Sequence, residues 1–143
     1  MKKTLLPVLL AGLAYSAQAQ TLQPTQVPAA VVATFNATFP AVKAPTWEKE
    51  GDHYEAGFTL NGATMSALLS PAGALLETET DMAPSHLPAP VRATLARAYP
   101  GYKVTEAATI VAASGATTYE AELSKHGKRR DVVFHADGTP AKK

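Results

Sequence analysis

The apolar residues of this chain first follow the spacing of a helix and then that of a strand, and the change occurs twice. Each helical stretch has four apolar residues at every fourth position: Val27, Val31, Phe35 and Phe39, then Leu87, Val91, Leu95 and Tyr99. This spacing places the side chains on one stripe of a helix. With Thr25 and Ser85 as N-caps and Pro40 and Pro100 closing the ends, we predict two helices of about 13 residues.

After each helix the apolar residues alternate with polar ones, which is the period of a β-strand. In the first half, Asn61-Gly62 is a strong signal for a type I′ hairpin between two such strands. A second hairpin is expected at His126-Gly127. We predict strands at about 43–50, 53–60, 63–70 and 74–80, and then within 102–113, 117–125 and 129–136.

The two halves are also similar residue by residue. Eight of twenty positions are identical when 24–43 is aligned with 84–103. An offset of 65 then matches Tyr54-Glu55-Ala56 with Tyr119-Glu120-Ala121, so five additional residues fall between Lys103 and Tyr119. Two copies of an α-β-β-β unit in one small domain predict the α+β class, with one antiparallel sheet and both helices packed on one face. The copies span about 24–80 and 84–143, and the opposite face of the sheet is expected to be polar and open.

The first nineteen residues have the pattern of a secretory signal peptide. Lys2 and Lys3 precede an apolar stretch that is too short to span a bilayer, and Ala17-Gln18-Ala19 suits signal peptidase. We predict cleavage after Ala19, which leaves residues 20–143 as a single periplasmic domain with no membrane span. Losing two lysines changes the formal charge of +1 to −1, which is too balanced for a nucleic-acid-binding protein.

Candidate catalytic and metal-ligating residues are few. The chain has no cysteine, no G-x-S-x-G motif and no glycine-rich phosphate loop, so it lacks the usual signatures of a nucleophile or a cofactor site. His53 with Asp52 and Glu55 is the best acid–base cluster, and we interpret it as the solvated start of a strand. Met82 and His86 lack the spacing of paired metal ligands. We therefore predict no catalysis, no cofactor and no metal.

Five residues are candidates for contact with a ligand or a protein partner: Trp47, Glu55, Glu120, Arg129 and Arg130. Trp47 is the only tryptophan, a residue type that is common both in interface hot spots and in well-packed interiors. Glu55 and Glu120 are equivalent in the two copies, so the duplicated units would present them in related positions. Arg129 and Arg130 lie in a basic segment that fits either a solvated hairpin or a docking patch for an acidic surface.

A helix that follows an apolar-Pro pair and ends at an aromatic-Pro pair, followed by strands with Tyr-Glu and a glycine turn, resembles the PepSY-like family, also described as β-lactamase-inhibitor-like. The resemblance covers about residues 23–139. It implies an exported α-β-β-β protein without catalytic residues, similar in build to secreted β-lactamase inhibitors but lacking their cysteines. We interpret the chain as a non-catalytic periplasmic binding domain of unknown ligand, with a periplasmic protein as its partner. The alternative is an inhibitor of a periplasmic peptidase or β-lactamase that acts through the open sheet face.

Overall fold

The computed structural model describes residues 20–142, and the predicted signal peptide, residues 1–19, lies outside them. The described residues form one antiparallel sheet in which the strands follow one another in chain order. Two α-helices complete the α+β fold predicted from the sequence. The helices are α1 (Ala29–Thr38) and α2 (Ala89–Ala98), and the strands are β1 (Gln20–Leu22), β2 (Thr46–Glu50), β3 (His53–Leu60), β4 (Ala63–Leu69), β5 (Leu75–Met82), β6 (Lys103–Ala112), β7 (Thr117–Lys125), β8 (Lys128–Phe134) and β9 (Pro140–Ala141).

Tight turns set the order of the strands. Asn61 and Gly62 have φ values of 51° and 80°, and His126 and Gly127 have 51° and 76°. Positive φ at both central residues is the geometry of a type I′ turn, whose twist matches that of the flanking strands. Both predicted hairpins are therefore present, β3–β4 in the first copy and β7–β8 in the second.

The α-helices are shorter than predicted, at 10 residues each, because each begins later. Thr25 is not an N-cap but lies in a separate 3-10 turn, Pro24–Gln26, and Ser85 occupies the same position in the second copy. A residue before proline avoids the α region, so Val27 is extended, with ψ of 132°. The helix can begin only after this break, and Pro28 takes the N-cap position.

Each helix buries its apolar stripe against the sheet, and each copy has its own core. Val31 and Phe35 of α1 are fully buried, and Val91 and Leu95 of α2 occupy the same places in the second copy. The strand residues that face the helices are Tyr54, Phe58, Ala67 and Leu69 in the first core, and Tyr119, Leu123, Val132 and Phe134 in the second.

The two copies are joined through β5 and β6, where Glu77–Met82 pairs with Ala107–Ala112 at six register positions. The equivalent ladder at the start of the first copy, between β1 and β2, has three. The five additional residues of the second copy lengthen β6 and its turn, since β6 has ten residues and β2 has five. The insertion therefore lets β6 pair along most of β5 and makes the sheet continuous.

Candidate functional site

The face of the sheet opposite the helices, here called the open face, carries most of the acidic residues of the protein. Residues paired across neighbouring strands point to the same side of a sheet, and successive residues point to opposite sides. The strand registers therefore place ten of the twelve carboxylates on the open face. These are Glu48, Glu50, Glu55, Glu77, Glu79, Asp81, Glu106, Glu120, Glu122 and Asp131.

Several cations lie on the helix side instead, where they cover aromatic rings. The ammonium of Lys49 is 3.9 Å from the ring centroid of Tyr54, and that of Lys125 is 5.1 Å from the ring centroid of Tyr102. Cations are attracted to the faces of aromatic rings, so these pairs hold positive charge on that side. The sheet therefore separates charge, with the open face acidic and the helix side basic.

The acidic residues are most concentrated in a cleft of about 200 Å³ on the open face, here called the acidic cleft. Glu106, Glu122 and Asp131 are directly opposed on β6, β7 and β8, an arrangement of like charges that destabilises a sheet. Arg129 offsets part of this repulsion, with its Nη1 3.2 Å from Oε1 of Glu122. The carboxylates that line the cleft are Glu79, Asp81, Glu106, Glu120, Glu122 and Asp131, so strands of both copies build it.

The open face also has an apolar floor, which the sequence interpretation of a polar face did not include. Ala108, Ile110 and Val133 are only 4%, 6% and 5% exposed. Their registers place them beside Glu79 and Glu120 on the open face. These apolar residues therefore pack beneath the charged side chains, and the accessible surface of the open face is polar.

The predicted site residues of the first copy occupy different environments. Trp47 is 4% exposed and lies in the first core, edge-on to Phe35 with ring centroids 5.4 Å apart. Trp47 is therefore a core residue and not an interface residue, and it contributes nothing to the open face. Glu55 is on the open face, opposite Glu48 of β2, while its counterpart Glu120 lies in the acidic cleft.

Arg129 and Arg130 point to opposite faces of β8, although both line a cavity at the β7–β8 hairpin. Arg129 is on the open face beside Glu122, whereas the guanidinium of Arg130 lies 5.5 Å from the ring centroid of Tyr99 on the helix side. The alternation of a strand carries this information. The prediction placed the two arginines in one segment because they are adjacent in sequence, and it did not take this alternation into account.

Asp137 is one of the two carboxylates that are not on the open face, and its ionisation is perturbed. The hydroxyl of Thr139 donates a hydrogen bond of 2.6 Å to its Oδ1, and the backbone N–H of Thr139 donates another of 2.9 Å. Both bonds favour the charged form and lower the pKa of Asp137 below its ordinary value. Asp137 therefore fixes the turn before β9 and contributes nothing to the acidic cleft.

Within residues 20–142, neither a metal-ion cage nor a membrane-spanning helix is found. No three His, Asp or Glu side chains in this part of the chain are grouped so that they could hold an ion. No helix there has the length and apolarity needed to cross a bilayer. His53 lies opposite Glu50 where β3 begins, with Asp52 exposed in the preceding turn. The acid–base cluster seen in the sequence therefore lies at the start of a strand.

Together, the fold and the open face define a duplicated α+β domain with one uncovered, acidic sheet surface. The same architecture occurs in a predicted periplasmic protein of Bacteroides eggerthii (TM-score 0.70, 17% identity, covering 81% of this chain and 86% of that one). It also occurs in a DUF2874 family protein of Bacteroides uniformis (0.70, 18%, covering 80% and 86%). A BLIP-like protein of Bacteroides fragilis is similar as well (0.63, 22%, covering 85% of each chain). No protein-family model and no curated protein sequence matches the chain.

Proposed function

We propose that this protein is a non-catalytic, PepSY-like binding domain of the periplasm that recognises a cationic surface of a protein partner through its open face. The observation that supports this most strongly is the segregation of carboxylates onto that face, around an apolar floor. A signal-peptide-like N-terminus and a fold shared with a predicted periplasmic protein support the location.

Electrostatics explain how such a face would select its partner. A concentration of one sign of charge attracts oppositely charged surfaces over a distance and speeds their association. A cationic partner would also reduce the repulsion between the directly opposed Glu106 and Glu122, which Arg129 offsets only in part. The apolar floor at Ile110 and Val133 is buried beneath the charged side chains, so the contacts with a partner are made by the carboxylates.

Inhibition of a periplasmic hydrolase is a second candidate function, and it would use the same face. The fold likeness to a BLIP-like protein favours it. An inhibitor of this kind would cover the rim of an active site with the sheet surface. A peptidase or β-lactamase with a basic rim would be the matching target.

The proposal is tested by capturing the partner from periplasmic extract with two versions of the protein. We expect the triple variant Glu79→Gln, Glu106→Gln, Glu120→Gln to bind the captured partner at least about tenfold more weakly than the unchanged protein, because rim charges set association. Asp52→Asn is the matched control, since it removes a carboxylate that lies in a turn.

The affinities are measured by surface plasmon resonance in low and in moderate salt. The unchanged protein should lose affinity as salt rises, and the triple variant should lose much less. Equal binding by all three proteins would contradict the proposal. If the partner is a hydrolase, loss of its activity on addition of the unchanged protein would support inhibition, and full activity in the complex would exclude it.

A further inference from the structure

A groove of about 450 Å³ lies on the helix side of the second copy, between α2 and the sheet. It is on the face opposite the acidic cleft. Its size falls in the range of small-molecule sites, which are mainly apolar with a few polar groups. The larger apolar and aromatic residues of its lining are Leu87, Leu95, Tyr99, Tyr102, Val104 and Leu123.

A cavity of about 410 Å³ also lies beside α1, lined by Asn36, Pro40, Val42 and Lys43, but the core of the first copy beneath it is filled by aromatic rings that the second copy lacks. In the first copy, Phe35 contacts Phe39, Phe58 and Trp47 with ring centroids 5.2–5.4 Å apart. The repeat offsets and the strand registers identify the counterparts of three of these rings as smaller side chains. Leu95 replaces Phe35, Leu123 replaces Phe58, and Ala107 replaces Trp47.

The groove continues into a basic region. A second cavity of about 400 Å³ shares Tyr102 with the groove and is otherwise lined by Lys125, His126, Lys128, Arg129 and Arg130. Lys125 lies over the ring of Tyr102, and Arg130 lies over the ring of Tyr99. The two tyrosines therefore line the groove and are also in contact with cations.

The backbone around the groove is already hydrogen-bonded. The carbonyl of Leu87 accepts from Nε of Arg92 at 3.1 Å, and that of Pro100 accepts from Nζ of Lys125 at 3.3 Å. The carbonyl of Tyr99 accepts from the N–H of Tyr102. Each of these carbonyls has accepted one hydrogen bond and can accept a second, but an acyl chain needs no hydrogen bond from the groove lining.

We propose that this groove binds a single acyl chain with an anionic head group. The chain lies along Ala96, Tyr99, Tyr102 and Val104, which line the groove above the buried core, and the head group lies beside Lys128 and Arg130. This activity is separate from the proposed partner recognition, because it uses the opposite face of the sheet.

The test is isothermal titration calorimetry of the purified, exported protein with sodium dodecanoate below its micelle concentration. We expect saturable binding of one molecule that tightens by about two- to fourfold for each methylene added between octanoate and dodecanoate. Butanoate tests the anion alone, and dodecyltrimethylammonium tests the chain with a cationic head. Both should bind at least about tenfold more weakly than dodecanoate.

Two variants assign the site. Ala96→Phe places a ring in the groove from an exposed position of α2 and should weaken dodecanoate binding at least about tenfold. Asn36→Phe, the same change at the equivalent exposed position of α1, should leave binding unchanged. Lys128→Glu with Arg130→Gln should weaken binding of dodecanoate but not of dodecyltrimethylammonium.

Thermal unfolding checks that each variant is folded. Absence of saturable dodecanoate binding would overturn the proposal, and so would equal effects of Ala96→Phe and Asn36→Phe. Binding of an acidic, leucine-containing peptide in place of dodecanoate would overturn it as well. The open-face variant Glu79→Gln, Glu106→Gln, Glu120→Gln should bind dodecanoate normally, so failure here is distinguishable from failure of the proposed function.

Discussion

Phe35→Ala should lower the free energy of unfolding by about 3–5 kcal/mol, the range for removing a buried phenylalanine. Phe35 is fully buried and is the centre of the first core, in contact with the rings of Phe39, Trp47 and Phe58. Its removal leaves a cavity that these rings cannot close without losing their contacts with one another. Urea unfolding followed by far-UV circular dichroism measures the change.

The control for Phe35→Ala is Asn36→Ala, which alters the next residue of the same helix on its exposed side. That change should stay within about 0.5 kcal/mol of the unchanged protein, as exposed substitutions usually do. A loss below about 1 kcal/mol for Phe35→Ala would mean that α1 does not pack on the sheet as described.

Gly138→Ala should also destabilise the fold strongly, by about 2–5 kcal/mol, because two costs combine. Gly138 has φ of 85°, which disfavours any residue with a Cβ. A Cβ there would also lie 2.5 Å from the carbonyl oxygen of Pro90 in α2. Gly73 meets Ala30 of α1 in the same way, at 2.7 Å, so the close approach of turn and helix belongs to both copies.

Gly62→Ala separates the two costs at Gly138. Gly62 has φ of 80°, but a Cβ there would have no atom within 4 Å. This variant should lose only the conformational part, about 1–2 kcal/mol. Thermal unfolding of both variants gives the comparison, and equal losses would show that the turn at Gly138 does not press against α2.

Much of the fold could be predicted from the sequence because its signals are local and occur twice. The stripe from Val31 to Phe35 fixes the buried side of α1, and the alternation from Tyr54 to Phe58 fixes the buried side of β3. The type I′ pair at Asn61-Gly62 fixes the hairpin that follows. The helix starts were wrong because the effect of Pro28 on the residue before it outweighed the capping preference of Thr25.

The candidate site was less predictable because it depends on pairings between distant segments. Glu120 was recognised from the repeat, but its neighbours Asp81 and Glu106 come from strands that only the register brings beside it. Trp47 suited both a core and a surface by composition, and three-dimensional packing decided between them. The groove beside α2 could not be predicted from the sequence, because its lining is ordinary in composition.

The function proposed for the open face requires the two copies to form one sheet. The acidic cleft takes Glu79 and Asp81 from β5 and its other carboxylates from β6, β7 and β8. Each copy has its own buried core, so the β5–β6 ladder is what holds the two parts of the cleft together. If the ladder opened, the cleft would separate into two parts.

Native-state amide hydrogen exchange, measured by NMR, tests this continuity most directly. If the sheet is continuous, the hydrogen-bonded amides between β5 and β6 should exchange as slowly as those in the β3–β4 and β7–β8 hairpins, through global unfolding. Fast exchange between β5 and β6, with both hairpins still protected, would show two separately folded halves and contradict a shared acidic cleft.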